Sequence, residues 1–399
     1  VYSPDATRLE LPGGGEALDA VLATLPASAA VFLLELPQGQ QPYLGRCGNL
    51  RRRLIRLLRA PAPQTRLLNL RGIARNLVYW RCGSALEASL TLLEQARSHF
   101  PDRYLRLLRL RYPYFVRFLI ENRFPRLAVS SQPGDPSTAF GPFLCRAQAE
   151  DFASRTLDFF LIRRCDEDLV PHPSHPGCIY GEMMLCLRPC QQAVSEARYQ
   201  AEARELLACL RTEGASLRSL LEQQRQAASE ALDFEQAARF HKRLGKWEEC
   251  WRGMGEFSSL LSALDGVALT RGDRDREITL WPVAAGSLGA PQRLLLASLS
   301  SQDLTARISA ALAAPPRRFD ETDREHLAVL TKWKHSSWCD GEWVRIRDRE
   351  KIPSRKILNA AKRLLPAQTA EVAEGTVARE QLTESQHAAE ATQLSDHDR

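Results

Sequence analysis

The sequence predicts a multidomain α+β protein, and three observations lead there. Between Ala30 and Phe100 the apolar pattern changes period in the order strand, strand, helix, strand, helix, which defines a small α/β module. Four of the ten cysteines then crowd into the stretch from Cys165 to Cys190. From Ser195 to Trp251 a periodic run contains no proline, as long helices require. A chain of 399 residues also exceeds a single domain of about 100–200 residues. The expected segments are an N-terminal lead (1–25), the α/β module (26–128), a Cys-rich segment (129–194), a helical region (195–260), a mixed C-terminal region (261–365) and a tail (366–399).

The elements follow in order. Glu16 to Leu25 has helical periodicity and stops at Pro26. Ala30 to Leu36 reads as a buried strand, Gln38-Gly39-Gln40 as a turn, and Pro42 to Gly45 as a second strand. In Asn49 to Leu58, the residues Leu50, Leu54, Ile55 and Leu58 share one helical face, with Arg51, Arg52, Arg53 and Arg56 around it. Val78 to Arg81 is a third strand, Glu87 to Phe100 a helix, and Tyr112 to Ile120 extended and apolar. Ser130 to Ser137 is a loop and Arg146 to Phe160 a helix. The run from Ser195 to Trp251, with Gly214 and Gly245 as its internal glycines, predicts a helical hairpin or two long helices. Val267 to Val283 alternates around Arg271-Gly272-Asp273 as a hairpin, and Arg293 to Leu299 is a further strand.

Apolar residues make up 44 % and charged residues 26 % of the chain, enough to bury real cores. A mean hydropathy of −0.31 and the lack of an 18-residue apolar run exclude a membrane-spanning helix. The opening Val1-Tyr2-Ser3-Pro4-Asp5 is not a basic-then-apolar leader, so a cytoplasmic protein without a membrane partner is expected. The net charge of +6 is unevenly spread. The tail carries seven acids against two bases and is poor in large apolar residues, so disorder is expected there. Between Arg46 and Arg126 stand 18 arginines, no lysine and four acids, a balance of +14 that suits a phosphate-binding surface. With seven lysines in the whole chain, a general preference for arginine is the other reading.

Two clusters carry chemistry. A hairpin ending Tyr43-Leu44-Gly45-Arg46 runs into Asn49-Leu50-Arg51-Arg52-Arg53, and Cys165, Cys178, Cys186 and Cys190 fall within one segment. Four thiolates from one segment can surround one ion or cluster, although paired C-x2-C knuckles are missing. His172 and His175 are substitute ligands in the same loop.

The first cluster resembles the GIY-YIG nuclease family in the form found at the N-terminus of UvrC excinucleases. Pro26 with Ala29-Ala30-Val31-Phe32 matches the lead-in, Tyr43-Leu44-Gly45 the second half-motif, Arg53 the catalytic arginine, and Tyr112-Pro113-Tyr114 the later Tyr-Pro strand. The resemblance implies tyrosines that activate water, an arginine facing the phosphate, and a helical glutamate holding Mg²⁺ or Mn²⁺ that neutralises charge at the phosphate. Tyr43, Arg46 and Arg53 are the implied phosphate-side residues, with Arg51, Arg52 and Arg56 as DNA contacts. Several positions depart from the pattern. The first tyrosine is Phe32, the first glycine Ala30, the usual lysine Arg46, and the metal glutamate Leu92. Glu87 and Glu94 are the remaining acids; Glu94 lies about 200° around the helix from position 92.

Pro189-Cys190, Tyr180 and Gly141-Pro142-Phe143 resemble the surroundings of the UvrC Cys-rich segment, which implies an iron–sulfur cluster, with zinc as the alternative. Leu232 to Arg239, with Phe234, Glu235, Ala237, Ala238 and Arg239, is similar to the UVR motif through which UvrC docks on UvrB; His241-Lys242 replaces its usual Arg-Asp. Leu264 to Val283 is similar to the start of the UvrC C-terminal half, and the expected extent is that of a shortened, Cho-type homologue. The implied function is nucleotide excision repair, on duplex DNA with a UvrB-like partner and a degenerate endonuclease site. The other reading is a non-catalytic DNA-binding or adaptor protein that keeps the UvrC fold.

Overall fold

The computed structural model describes residues 5–37, 39–58, 70–313 and 318–365. Gln38 of the expected turn and the acidic tail lie outside the described residues. The described chain is a mixed α+β protein with three antiparallel sheets. Residues up to Lys362 form one compact unit.

The first sheet has the order β1-β4-β2-β3, from β1 (Thr7–Glu10), β2 (Ala30–Glu35), β3 (Tyr43–Cys47) and β4 (Asn76–Arg81). In β2, Ala30, Phe32 and Leu34 point into a core with α1 (Gly15–Thr24) and α2 (Leu50–Leu58). Val31 and Leu33 point the other way, toward Trp80 and the Ala88 side of α3 (Ala85–His99). A strand covered on both faces needs apolar residues at every position, which explains the unbroken run from Ala30 to Leu34. The edge strand β1 escapes sequence reading because Thr7-Arg8-Leu9-Glu10 is polar and mostly exposed. A short helix α4 (Tyr104–Leu108) follows α3.

The second sheet runs β6-β5-β7-β8, from β5 (Tyr114–Phe118), β6 (Leu127–Ser130), β7 (Ala139–Phe143) and β8 (Ser259–Leu260). It packs against α5 (Arg146–Leu157) and a helical set whose rings interlock: Phe140 stacks on Phe152 at 4.9 Å, and Trp251 meets both edge-on. Between α5 and that set, the Cys-rich segment contains one helical turn, α6 (Ile179–Glu182). The proline-free run divides into three helices, α7 (Glu196–Arg211), α8 (Ala215–Glu230) and α9 (Phe234–Arg252), where at most two were expected. Gly214 makes the first break in left-handed conformation, φ 85°. Leu232, at φ 58°, makes the second, and the Asp233 carboxylate accepts the Gln236 N–H to cap α9. Gly245, in contrast, lies inside α9 and breaks nothing.

The third sheet has the order β11-β10-β9-β13, with β12 also on β10, from β9 (Gly266–Arg271), β10 (Glu277–Ala284), β11 (Ser287–Leu288), β12 (Gln292–Leu295) and β13 (Gly341–Arg345). The expected hairpin around Arg271-Gly272-Asp273 is therefore β9 and β10. Three helices accompany it: α10 (Ser301–Leu312), α11 (Glu321–Lys334) and α12 (Ser354–Leu364). Helix α11 is buried from Asp323 to Thr331 and again at Trp333, because α3 and this sheet enclose it.

Two glycines should respond in opposite senses. A Cβ at Gly214 would meet Trp251 Cε2 at 2.7 Å in a left-handed backbone, so Gly214→Ala should cost about 2 kcal/mol or more. Gly245 has open space and helical dihedrals, so Gly245→Ala should gain about 0.5–1 kcal/mol. Urea midpoints of the two variants against wild type check both signs.

Candidate functional site

Strand β3 forms one edge of the first sheet, and α2 leaves it through a tight link. Asn49 caps α2 by accepting the Arg52 N–H at 2.9 Å. That start aims Leu50, Leu54, Leu57 and Leu58 inward, and the intervening arginines outward. Arg53 Nη2 donates to Tyr43 Oη at 3.1 Å, so these two residues meet as the resemblance implies. Phe32 is fully buried beneath them, with its ring 6.0 Å from that of Tyr43. Gly45 makes room for it, since a Cβ there would lie 3.0 Å from Phe32 Cζ. The missing hydroxyl therefore belongs to a residue that works as core.

Arg46 is three residues from Tyr43, an odd separation that puts it on the opposite sheet face. There its Nη1 donates to Ser89 Oγ of α3 at 3.0 Å, and its guanidinium lies 6.0 Å from the Trp338 ring centroid. A cleft of about 240 Å³ opens at this point, with Leu92, Leu107 and Lys332 among its lining residues. The position assigned to the metal carboxylate thus does reach Arg46, but as leucine.

Neither remaining acid joins them. Glu87 is fully buried, with one oxygen accepting from Gly83 N and the other from Arg293 Nη2, both at 2.7 Å. Glu94 accepts from His326 Nε2 at 2.8 Å and pairs with Arg97 at 3.4 Å. Burial raises the Glu94 carboxyl pKa, but the His326 hydrogen bond and the Arg97 charge outweigh it and leave the group below its ordinary value. Among the described residues no group of three or more His, Cys, Asp or Glu side chains could hold a metal ion. The residues around Arg46 therefore do not fit a divalent cation.

The DNA-contact candidates Arg51, Arg52 and Arg56 are exposed on α2, and none has an acidic partner among the described residues. Arg51 keeps its Nε on Leu25 O at 2.7 Å, which pins it against the end of α1.

The four cysteines share one neighbourhood. Burial pushes the Cys186 thiol up to about 11, the Arg188 backbone N–H draws it back, and the other three cysteines push it further up. Cys190 is raised too, by burial first and then by Cys178 and Cys165. Sulfur acceptors are already engaged: Cys186 Sγ by Arg188 N at 3.3 Å, and Cys165 Sγ by Arg163 Nη1 at 3.8 Å. His172 and His175 each use Nδ1 within their own turn, toward Ser174 Oγ and Gly177 N. Cys186 is thus within electrostatic range of Cys165, Cys178 and Cys190, which brings the four expected thiols into one neighbourhood.

The α8–α9 turn projects apolar groups into solvent. Leu232 and Phe234 are 72 % and 68 % exposed, Glu235 pairs with Arg239 at 2.5 Å, and Ala237 is half-buried beside exposed Ala238. Sequence reasoning missed Lys332 and Trp338 at the cleft. The basic and aromatic alternation of Lys332-Trp333-Lys334-His335 ahead of Trp338 was the available signal.

These features define an α+β protein with an arginine-rich edge, a thiol-rich segment and an exposed helical hairpin. Comparison with known proteins shows what the chain is similar to. Residues 112–209 match the UvrC/Cho excinuclease middle domain. UvrABC system protein C of Rhodospirillum rubrum is 30 % identical over 237 residues, covering 58 % of this chain and 36 % of that protein. The corresponding protein of Acetivibrio thermocellus is 22 % identical over 326 residues, 78 % of this chain and 52 % of its own. A Mycobacterium tuberculosis protein named as a bifunctional exonuclease/endonuclease is 27 % identical over 318 residues, 78 % of this chain and 48 % of its own. No solved structure matches. The chain carries the UvrC/Cho excinuclease middle domain and is a distant homologue of UvrC proteins over most of its length. It spans about a third to a half of the curated relatives it matches.

The state of Glu94 has a pH consequence. Its carboxyl is lower in the folded than in the unfolded protein, so its stabilisation is present above the ordinary value of 4.5 and is lost as pH falls below it. Glu94→Gln should flatten the acid limb of stability against pH, measured by urea unfolding. Glu87→Ala, which removes a fully buried carboxylate from Gly83 N and Arg293 while Asp273 stays 3.7 Å from that arginine, should cost about 1–3 kcal/mol at neutral pH.

Proposed function

We propose that this chain is a UvrC-like nucleotide excision repair protein. It grips duplex DNA with a GIY-YIG-like N-terminal module, docks on a UvrB-like protein through the α8–α9 hairpin, and carries a degenerate endonuclease site. The observation that carries this reading is the division of charge around β3. Arginines on α2 and β3 lack acidic partners among the described residues, while both acids of α3 are held inside by Arg293 and His326.

DNA phosphates would run along the β3 edge, with Tyr43 and Arg53 on one face and Arg46 on the other. Arg51, Arg52 and Arg56 extend this grip along α2. Such contacts read charge and not base identity. Tyr43 and Arg53 can hold a phosphate without a metal, so DNA binding outlasts the chemistry. The exposed Leu232 and Phe234, on a hairpin with small residues at Ala237 and Ala238, suit an apolar partner groove.

The thiols of Cys165, Cys178, Cys186 and Cys190 are the donor set for an iron–sulfur cluster, or for zinc. Their chemistry suits soft metals, and N–H groups directed at two of the sulfurs are of the kind that tune such centres. When bound, the group would cross-link the irregular loops of this segment.

Three outcomes are expected. Affinity for a fully paired duplex should fall steeply and linearly on a log–log plot against salt, and Arg53→Ala should weaken binding about fivefold by deleting one charged contact. A flat salt response reduces the arginines to mere composition. Plasmid nicking with Mg²⁺ or Mn²⁺ should be weak or absent, with or without a UvrB-type protein. Efficient nicking abolished by Arg53→Ala would show that the site is intact. Anaerobically purified protein should contain iron and acid-labile sulfide, lost in Cys186→Ser. Zinc in their place corrects the metal, and neither metal overturns the assignment.

A further inference from the structure

The cleft beside Arg46 sits where the family resemblance places a metal carboxylate, yet its walls are apolar. Leu92 and Leu107 face it, with Trp338 beside them, and two cations, Arg46 and Lys332, stand among the lining residues. Trp338 is the one exposed tryptophan of seven, 40 % exposed, and the Arg46 guanidinium lies 6.0 Å from its ring centroid. Leu107 is 52 % exposed and has Arg106 and Arg109 on either side in sequence. Lys332, Arg106 and Arg109 have no acidic partner among the described residues.

We infer that this cleft receives a single unpaired nucleobase of bound DNA. A base has two apolar faces and is flanked by phosphates, which matches apolar walls with a cationic rim. Trp338 offers a stacking face, and an aromatic platform beside cations is how single-stranded bases are held without sequence preference. The volume also decides the occupant. About 240 Å³ is below the roughly 300–1,000 Å³ of sites for drug-sized ligands, which suits a small planar group such as a nucleobase. Replacing a carboxylate by Leu92 removes the negative charge that would repel a polyanion. The slot opens at Arg46, on the sheet face away from Tyr43 and Arg53, so a base entering it would have its flanking phosphates beside Arg46, Lys332, Arg106 and Arg109. Extruding a base costs least where pairing is already lost, so the site favours damaged or unpaired positions.

This inference rests on the DNA-binding reading above, and the test separates the two. The full chain is titrated against a duplex with a single-base bulge and against the same duplex fully paired. Fluorescence anisotropy gives affinity, and Trp338 emission reports stacking. The bulged duplex should bind about fivefold or more tightly, since stacking is worth roughly 1–3 kcal/mol per base. Trp338→Ala should abolish that preference while leaving paired-duplex affinity and its salt slope unchanged; Trp338→Phe should retain most of it. Leu107→Glu, at an exposed position that tolerates substitution, should also abolish it. Equal affinity for the two duplexes overturns the inference and leaves DNA binding standing. Salt-independent or absent binding to both overturns the two together. A preference that survives Trp338→Ala and Leu107→Glu places the base elsewhere and overturns the site. Free dAMP quenching Trp338 as well as the bulged duplex overturns the strand as its source.

Discussion

Glu87 of α3 has no exposed surface, and a carboxylate taken out of water needs a fixed cation. Arg293 supplies one from β12, 206 residues further along the chain. The same helix meets the third sheet and α11 elsewhere. The Ala85 N–H donates to Asp340 at 2.5 Å, Glu94 binds His326, and Arg97 pairs with Glu325, which also accepts from Tyr104 Oη at 2.5 Å. Helix α3 is thus shared between the N-terminal sheet and the C-terminal region. Its charges serve as ties between them.

That sharing limits the chemistry of the N-terminal module. A fully buried carboxylate already held by Gly83 N and Arg293 is not free to hold a divalent ion, because turning it away would give up both bonds. With Glu87 and Glu94 so used and leucine at position 92, the cleft beside Arg46 has become apolar. The same contacts that tie Glu87 and Glu94 to the C-terminal region keep both carboxylates away from this cleft.

The arginines of α2 and β3 show the opposite economy. They lie on and beside an edge strand, and no acidic partner is recorded for them among the described residues, although Arg46, Arg51 and Arg53 keep neutral hydrogen-bond partners. Their mutual repulsion is tolerable because the side chains splay into water, and the proposed phosphate contacts would relieve it. The exposed Leu232 and Phe234 at the α8–α9 turn are likewise left unsatisfied, in their case by lack of apolar cover.

Local pattern alone determined much of this molecule. The unbroken apolar run of β2, the amphipathic α2 and the alternating β9–β10 hairpin were legible because each depends on side-chain period and turn residues close in sequence. The meeting of Tyr43 with Arg53 was legible through the family resemblance. The tertiary structure decided the rest. It alone paired Glu87 with Arg293, buried α11 against α3 and brought Trp338 to the Arg46 cleft. Sequence spacing grouped the four thiols, and the fold is what brings Cys165, Cys178 and Cys190 into range of Cys186. Each of these depends on contacts between residues far apart in the chain, and a buried charge reads the same in sequence as a solvated one until its partner is known.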